Sequence, residues 1–304
     1  MTPTPLRRPL FAIPGVLACA CLVAAGLQSR DPAVETRAVR GQVSYLVGAG
    51  GNVGVMLGKD GVLLVDDKFA ENAKPIEEAV KKLGGGAPAW LVNTHWHGDH
   101  TGGNAHFGAA ATIVSHLNVR RRLNGDKGLG GRVADAPPAA AALPEVTYDT
   151  QLSLHVNGEE VRLIHLGPGH TDGDSVVWFQ GSNVVHMGDL FFNVGYPFID
   201  LDSGGDVEGV IASCKRVLEF VPADAAVIPG HGDATDVAGL MTYVAMLDEC
   251  LARVRKAHLT GQTVEQMVAA DLLKDLNARW GNFAFVTPER WIRTLATYVS
   301  QGAR

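Results

Sequence analysis

Cysteine is scarce in this chain. There are four in 304 residues. Cys19 and Cys21 lie in the N-terminal stretch, so Cys214 and Cys250 are the two that belong to the body of the protein. Those two are open to either of two readings, a disulfide formed in an oxidising compartment or a pair of buried thiols. An excess of positive charge is missing too: 26 Lys and Arg stand against 32 Asp and Glu. Binding to phosphate backbones requires clustered cations, so this balance speaks against nucleic acid as a partner. The glycine-rich segment Gly48-Ala49-Gly50-Gly51-Asn52 is not a phosphate cradle. No Gly-Lys-Ser follows it, and the next element reads as a strand rather than a helix.

Long apolar runs are confined to the N-terminus. Arg7 and Arg8 precede the uncharged run Leu10 to Leu27. That run is barely long enough to span a bilayer, and Pro14-Gly15 interrupts it. Small residues at Ala24-Ala25-Gly26 provide a cleavage site. The expectation is a cleaved signal peptide over 1–26, a periplasmic or secreted location and no stable membrane span in the mature chain. Cys19 after Val16-Leu17-Ala18 weakly resembles a lipoprotein attachment site. Losing Arg7 and Arg8 removes two positive charges and takes the formal charge from −6 to −8. A polar linker is expected over 27–40, followed by a single domain over 41–304.

What the chain has is histidine beside carboxylate. Asn93-Thr94-His95-Trp96-His97-Gly98-Asp99-His100-Thr101-Gly102-Gly103 holds three imidazoles and one carboxylate within six positions. Such donors suit zinc and its first-row neighbours. Residues two apart in an extended segment point the same way, so His95 and His97 can grip one ion. Asp99 and His100 follow where the chain turns and can face a second. Three further ligand types lie beside glycine, each after a short apolar run: His170 in Gly167-Pro168-Gly169-His170, Asp189 in Met187-Gly188-Asp189, and His231 in Pro229-Gly230-His231-Gly232. Loops at strand ends on a rigid sheet are where ligands are usually presented.

These motifs, in this order, resemble those of the metallo-β-lactamase-fold hydrolase superfamily, and most closely its glyoxalase II-like and lactonase-like members. The resemblance implies an α+β fold, a four-layer α/β/β/α sandwich. It implies one metal held by His95, His97 and His170, a second held by Asp99, His100 and His231, and Asp189 bridging them. It also implies two zinc ions per chain, although iron or manganese suit the same donors. The expected chemistry is attack of a metal-activated hydroxide on the carbonyl of a small ester, lactone, thioester or amide, with Asp99 and Asp189 as the catalytic carboxylates. Two alternatives come from the same superfamily. One is hydrolysis of β-lactam antibiotics, against which stands Asp189 at a position where the best-known subclass has cysteine. The other is oxygen chemistry on a single iron, as in persulfide dioxygenases. Asp66, after the run Val62 to Val65, is expected to support the histidine loop through hydrogen bonds. His116, Asn193 and Tyr196 are candidates for the substrate pocket. The oligomeric state is left open.

Periodicity places strands at Val43–Val47, Gly54–Leu57, Val62–Val65, Trp90–Val92, Thr112–Ser115, Leu152–Val156, Val161–His165, Ser175–Phe179, Val184–Met187 and Val227–Ile228. Helices are expected at Pro75–Leu83, Asn118–Leu123, Val207–Phe220, Asp236–His258, Val264–Leu276 and Pro288–Val299. Asn124 to Leu143, rich in Gly, Ala and Pro, reads as a long mobile loop, either a lid or an uninvolved surface segment.

Overall fold

A computed structural model describes Met1 and residues 33–135 and 138–302. The apolar stretch read as a signal peptide, with Cys19 and Cys21, lies outside the described residues. Residues 31–304 form one compact unit. Among the described residues no helix is long and apolar enough to cross a membrane.

The first sheet takes its strands in chain order: β1 (Glu35–Arg40), β2 (Val43–Val47), β3 (Val53–Gly58), β4 (Gly61–Val65), β5 (Pro88–Asn93), β6 (Thr112–His116) and β7 (Val146–Tyr148). The first four form an antiparallel meander, and β4 to β7 run parallel. The expected linker therefore ends sooner than position 40. Glu35 to Arg40 pairs with β2 as the edge strand, a role its exposed, charged side chains concealed. An edge strand shows its polar face to water, so it lacks an apolar signature.

The second sheet is built from β8 (Gln151–Val156), β9 (Glu159–Ile164), β10 (Val176–Phe179), β11 (Val184–His186), β13 (Ala226–Ile228) and β15 (Thr235–Asp236). A separate parallel pair, β12 (Phe192–Asn193) with β14 (His231–Gly232), ties the chain after Asp189 to His231. The helices are α1 (Ala73–Lys82), α2 (Gly98–Thr101), α3 (Asn104–Phe107), α4 (Leu117–Leu123), α5 (Val207–Phe220), α6 (Val237–Leu259), α7 (Val264–Ala269), α8 (Lys274–Trp280) and α9 (Pro288–Ser300). The single helix expected over Val264 to Leu276 is two, broken where Asp271 takes the left-handed conformation (φ 46°).

Strand alternation sorts the core into three layers. Leu63, Val65, Val92 and Val114 meet Leu163, Val177, Phe179 and Ile228 between the sheets. Leu64, Leu91 and Ile113 face outward onto Ile76 and Val80 of α1. Val176, Val185 and Val227 pack under α5, α6 and α9 through Val210, Tyr243, Leu247, Trp291 and Ile292. This is the four-layer α/β/β/α sandwich. Cys214 and Cys250 are both buried free thiols in the helical layer, so no disulfide joins them. The stretch 124–143 is less free than its composition suggests. The buried Arg122 guanidinium donates to Asp172 at 2.6 and 2.7 Å and to the carbonyls of Gly130 and Arg132, which anchors the near half of the segment.

Candidate metal centre

Every expected ligand lies at one end of the two sheets, where the carboxyl ends of β5 and β11 and the loops after β9 and β13 converge. His95 lies in the bend that follows β5 and His97 in extended backbone just before α2; Asp99 and His100 sit on α2. Two groups of ligand atoms form, each with its members within 4.8 Å of one another: His95, His97, His170 and Asp189 in one, and Asp99, His100 and His231 in the other. Asp189 touches both, with Oδ2 at 3.5 Å from His170 Nε2 and 3.4 Å from His231 Nε2.

The far nitrogen of four of the rings is held, which turns the near one into the centre. His97 Nε2 meets Asp200 Oδ2 at 2.9 Å, leaving Nδ1 inward. His170 Nδ1 meets the Phe198 carbonyl at 2.7 Å, and His100 Nδ1 meets Asp66 Oδ2 at 2.8 Å. His95 Nδ1 lies 3.1 Å from Thr94 Oγ1. Such outer partners select the tautomer and fix ring orientation at metal sites. Asp66 also accepts from the Thr94 amide and hydroxyl, both at 2.7 Å, so one buried carboxylate locks the start of the histidine loop and the His100 ring together.

The fit to metal ions rests on what is left without a partner. His95 Nε2 and Asp189 Oδ1 are buried and make no hydrogen bond. Asp189 Oδ1 does lie 3.1 Å from His100 Nε2, but not in a bonding direction. His97 Nδ1 and His170 Nε2 face each other at 2.8 Å. Buried polar atoms normally find partners. Atoms that point at one another across a shared space are what two cations would satisfy, and an all-nitrogen-and-oxygen set suits zinc, iron or manganese.

Electrostatics agree. Burial pushes His95 well below the ordinary imidazole range, and burial likewise takes His170 down to about 4. Both are neutral ligands in waiting. Burial works against a charge on His100 as well, but Asp189, Asp99 and Asp66 outweigh it and hold His100 well above the usual range. Against the same burial, Asp189 and Asp99 raise His231 to about 9. Asp99 falls to about 2, because His100 and His231 overcome its burial. A cation held by the second group would compete with protons for His100 and His231.

Two glycines owe their place to close approach. A Cβ on Gly230 would sit 2.0 Å from Asp189 Oδ1, and one on Gly51 2.1 Å from His100 Cε1. The glycine-rich loop is thus packed against the centre. Lys68, fully buried, donates to the Gly51 carbonyl, and Asn52 donates to the carbonyls of Pro229 and Gly232 beside His231.

Three expected pocket residues are elsewhere. His116 caps α4, accepts from the Asn118 amide and stacks on His165 with ring centroids 3.9 Å apart, away from the cavity. Tyr196 is buried in the helical layer with its hydroxyl on Asn277 at 2.9 Å. Asn193 donates to the Asp233 carbonyl and pins a turn. For Asn193 and Tyr196 proximity in sequence to Asp189 misled: Asn193 lies in β12, and the chain after it carries Tyr196 under the helices.

The centre opens into a cavity of about 810 Å³. His97, Asp99, Asp189 and His231 form its floor, and Phe192, Phe198, Phe283, Phe285, Arg132 and Arg290 are among its wall residues. Asp200, Arg132 and the wall from α9 carried no local motif; only folding brings them to the histidines.

The model of the metallo-beta-lactamase superfamily matches residues 46–231. This chain belongs to that superfamily. An uncharacterized protein of Aquifex aeolicus is 31% identical over 59% of this chain and 82% of its own length. A hydroxyacylglutathione hydrolase of Rhodospirillum rubrum is 30% identical over 55% of this chain, and a metallo-beta-lactamase type 2 of Bacteroides fragilis 27% over 47%. The alignments span little more than half of those two relatives, 56% and 53%. Among solved structures, a metallo-beta-lactamase from Pontibacter korlensis superposes with a TM-score of 0.59 over 71% of this chain and 99% of its own, at 19% identity, a likeness of fold. The chain is thus a metallo-hydrolase of this superfamily by family and relatives. The matched segment ends at His231; the helices that wall the cavity lie beyond it.

Proposed function

We propose that the protein is an exported, dinuclear zinc-dependent hydrolase of small carbonyl compounds: esters, lactones, thioesters or amides. The observation that carries this reading is the convergence of seven ligand-type side chains, with His95 Nε2 and Asp189 Oδ1 buried and unpartnered, on the floor of a substrate-sized cavity. His95, His97 and His170 would hold one metal, Asp99, His100 and His231 the other, with Asp189 between them. Bound there, the metals would supply Lewis acidity and a water acidic enough to ionise near neutral pH.

The chain's own groups set up the rest. Asp99 lines the cavity with its carboxylate 3.4 Å from His231 Nε2, placed to orient a nucleophilic water and take its proton. Asp66 and Asp200 keep the imidazoles aimed, so no reorganisation accompanies the reaction. Phe192 and Phe198 cover the floor with apolar surface and exclude bulk water. Export rests on the N-terminal sequence alone; N-terminal sequencing of the secreted or periplasmic fraction beginning near Leu27 would support it.

The test is elemental analysis of the purified protein together with a panel of chromogenic esters, thioesters, lactones and a cephalosporin. About two zinc per chain and hydrolysis of one substrate class support the proposal. Preferential cephalosporin turnover would shift it to a β-lactamase. One iron per chain with no hydrolysis would overturn it in favour of oxygen chemistry.

A further inference from the structure

Lys68 is fully buried, and the chemistry described above makes no use of it. A lysine is almost never buried so completely unless a carboxylate pairs with it. Lys68 forms no salt bridge among the described residues; its ammonium donates to the carbonyl of Gly51. Burial draws that ammonium down to about 8, with Asp99 and Asp66 acting against the shift, so it is mostly charged at neutral pH. The backbone is unusual at the same place. Asp66 and Lys68 both take the left-handed conformation, with φ of 64° and 61°. Strain of this kind persists only where surrounding contacts hold it, and it gathers at functional sites.

The bend is stitched to the ligand-bearing turn. The Asp67 amide donates to the His100 carbonyl at 3.0 Å, the Gly102 amide to the Lys68 carbonyl at 2.8 Å, and the Gly103 amide to Asp67 Oδ1 at 2.8 Å. Lys68 is therefore anchored to α2 through its carbonyl and reaches the glycine-rich loop with its ammonium. That loop spans the second ligand group. The Gly51 amide donates to the Asp99 carbonyl at 3.1 Å, and the Asn52 amide donates to the Gly230 carbonyl, next to His231, at 2.7 Å. The Asn52 side chain donates to the carbonyls of Pro229 and Gly232 at 2.9 and 2.8 Å. Gly51 lies flat against the His100 ring, with room for no side chain, and Gly50 lines the cavity. One short segment thus meets the stretches that carry Asp99, His100 and His231. The rings of the first group take their hold from Thr94, Asp200 and the Phe198 carbonyl instead.

We propose that Lys68 is a positioning residue for the second ligand group: its buried ammonium clamps Gly51 onto His100 and so fixes the placement of Asp99, His100 and His231 relative to one another. Lys68 touches no reacting atom and acts through the loop. A hydrogen bond from a charged donor in a dry pocket is stronger than one between neutral groups, which suits a clamp on a glycine-rich segment with no side chains of its own to pack. The proposal rests on the dinuclear reading of the centre for its metal-binding arm only; the hold on the loop stands apart from it.

The test compares the zinc-loaded wild type with Lys68→Met, which keeps an unbranched stem and no donor, and Lys68→Gln, which keeps an N–H donor. Neither adds branching at the left-handed backbone. Hydrogen exchange read by mass spectrometry should rise about tenfold in the peptide covering residues 48–57 of Lys68→Met, with α5 and α6 within about twofold of wild type. Graded chelator competition should find the more weakly held zinc loosened about tenfold and the tighter one within about twofold. Lys68→Gln should recover part of both effects, and it carries both readouts in the same direction if Lys68→Met does not fold. Unchanged exchange in the loop would overturn the proposal. So would a rise spread evenly over α5 and α6 with both zincs loosened alike, which would make Lys68 a general support of the fold. Level zinc affinities beside a loosened loop would also overturn it. A wild type that takes up one metal only would sink the dinuclear reading, and loop exchange alone would then decide for or against the clamp.

Discussion

Floor and wall of the same cavity are built on different principles. On the floor ring nitrogens are tied outward to Asp66, Asp200 or a carbonyl, which turns the other nitrogen inward, where His95 Nε2 and Asp189 Oδ1 are left without a hydrogen bond. The wall is made of the aromatic faces of Phe192, Phe198, Phe283 and Phe285 and of cations, among them Arg290, which has no carboxylate within 4 Å among the described residues. The floor lies inside the segment shared with the superfamily; of the wall, Arg132, Phe192 and Phe198 lie inside that segment and Phe283, Phe285 and Arg290 beyond it. The contrast teaches that the ligand cluster and the lining around it are set by different physical demands. Donor geometry constrains the first tightly; the second needs only shape and charge.

The comparison can be broken at the floor most severely. Asp189→Ala takes away the one carboxylate that touches both ligand groups and should lower hydrolysis at least about 10³-fold, with loss of bound metal on elemental analysis. Turnover near wild type in that variant would separate Asp189 from the chemistry. Asp66→Asn keeps a residue that tolerates the left-handed backbone of position 66 (φ 64°) but discards the charge on His100 and Thr94. A weakening of metal affinity by roughly 10–100-fold is expected, readable by chelator competition.

Away from the cavity the effects should move from turnover to stability. Burial, with His165 beside it, depresses His116 to about 4. Its folded value lies below its unfolded one, so the unfolded chain binds the proton more readily. The stabilisation is complete above pH ~6.5 and is lost as pH falls from there toward 4, by on the order of 2–3 kcal/mol. His116→Asn retains a helix-capping side chain and should flatten that part of the pH–stability curve while leaving turnover at pH 7 within about twofold. An undiminished acid slope would assign it to other groups. Tyr196→Phe removes a hydrogen bond to Asn277 and should cost about 1 kcal/mol in denaturant melts with turnover within twofold. A large drop in kcat there would return Tyr196 to the site.

Legibility followed the same division. His95, His97, Asp99 and His100 sit within six positions because the bend after β5 and the single turn of α2 deliver them together, so their spacing exposed them. Asp66 was legible by its place at a strand end. Edge strand β1 was not, since its solvent face carries no apolar period, and the break at Asp271 turned on one backbone angle. His116, Asn193 and Tyr196 are near the ligands in sequence but are led into a helix cap, a turn and the helical core. Arg290 and Asp200 are far from the motif in sequence, and nothing local marks either one.

The amino-acid sequence by itself determined the donor set, its nitrogen-and-oxygen character and the alternation that makes two sheets, because those depend on neighbours two to five residues apart. Only the tertiary structure decided which nitrogen of each imidazole turns inward, that Gly51 and Gly230 must lack a side chain, and that an arginine of the last helix stands over the cavity. Those outcomes depend on contacts between segments tens to hundreds of residues apart, and such contacts exist once both sheets and the helical layer have closed around the centre.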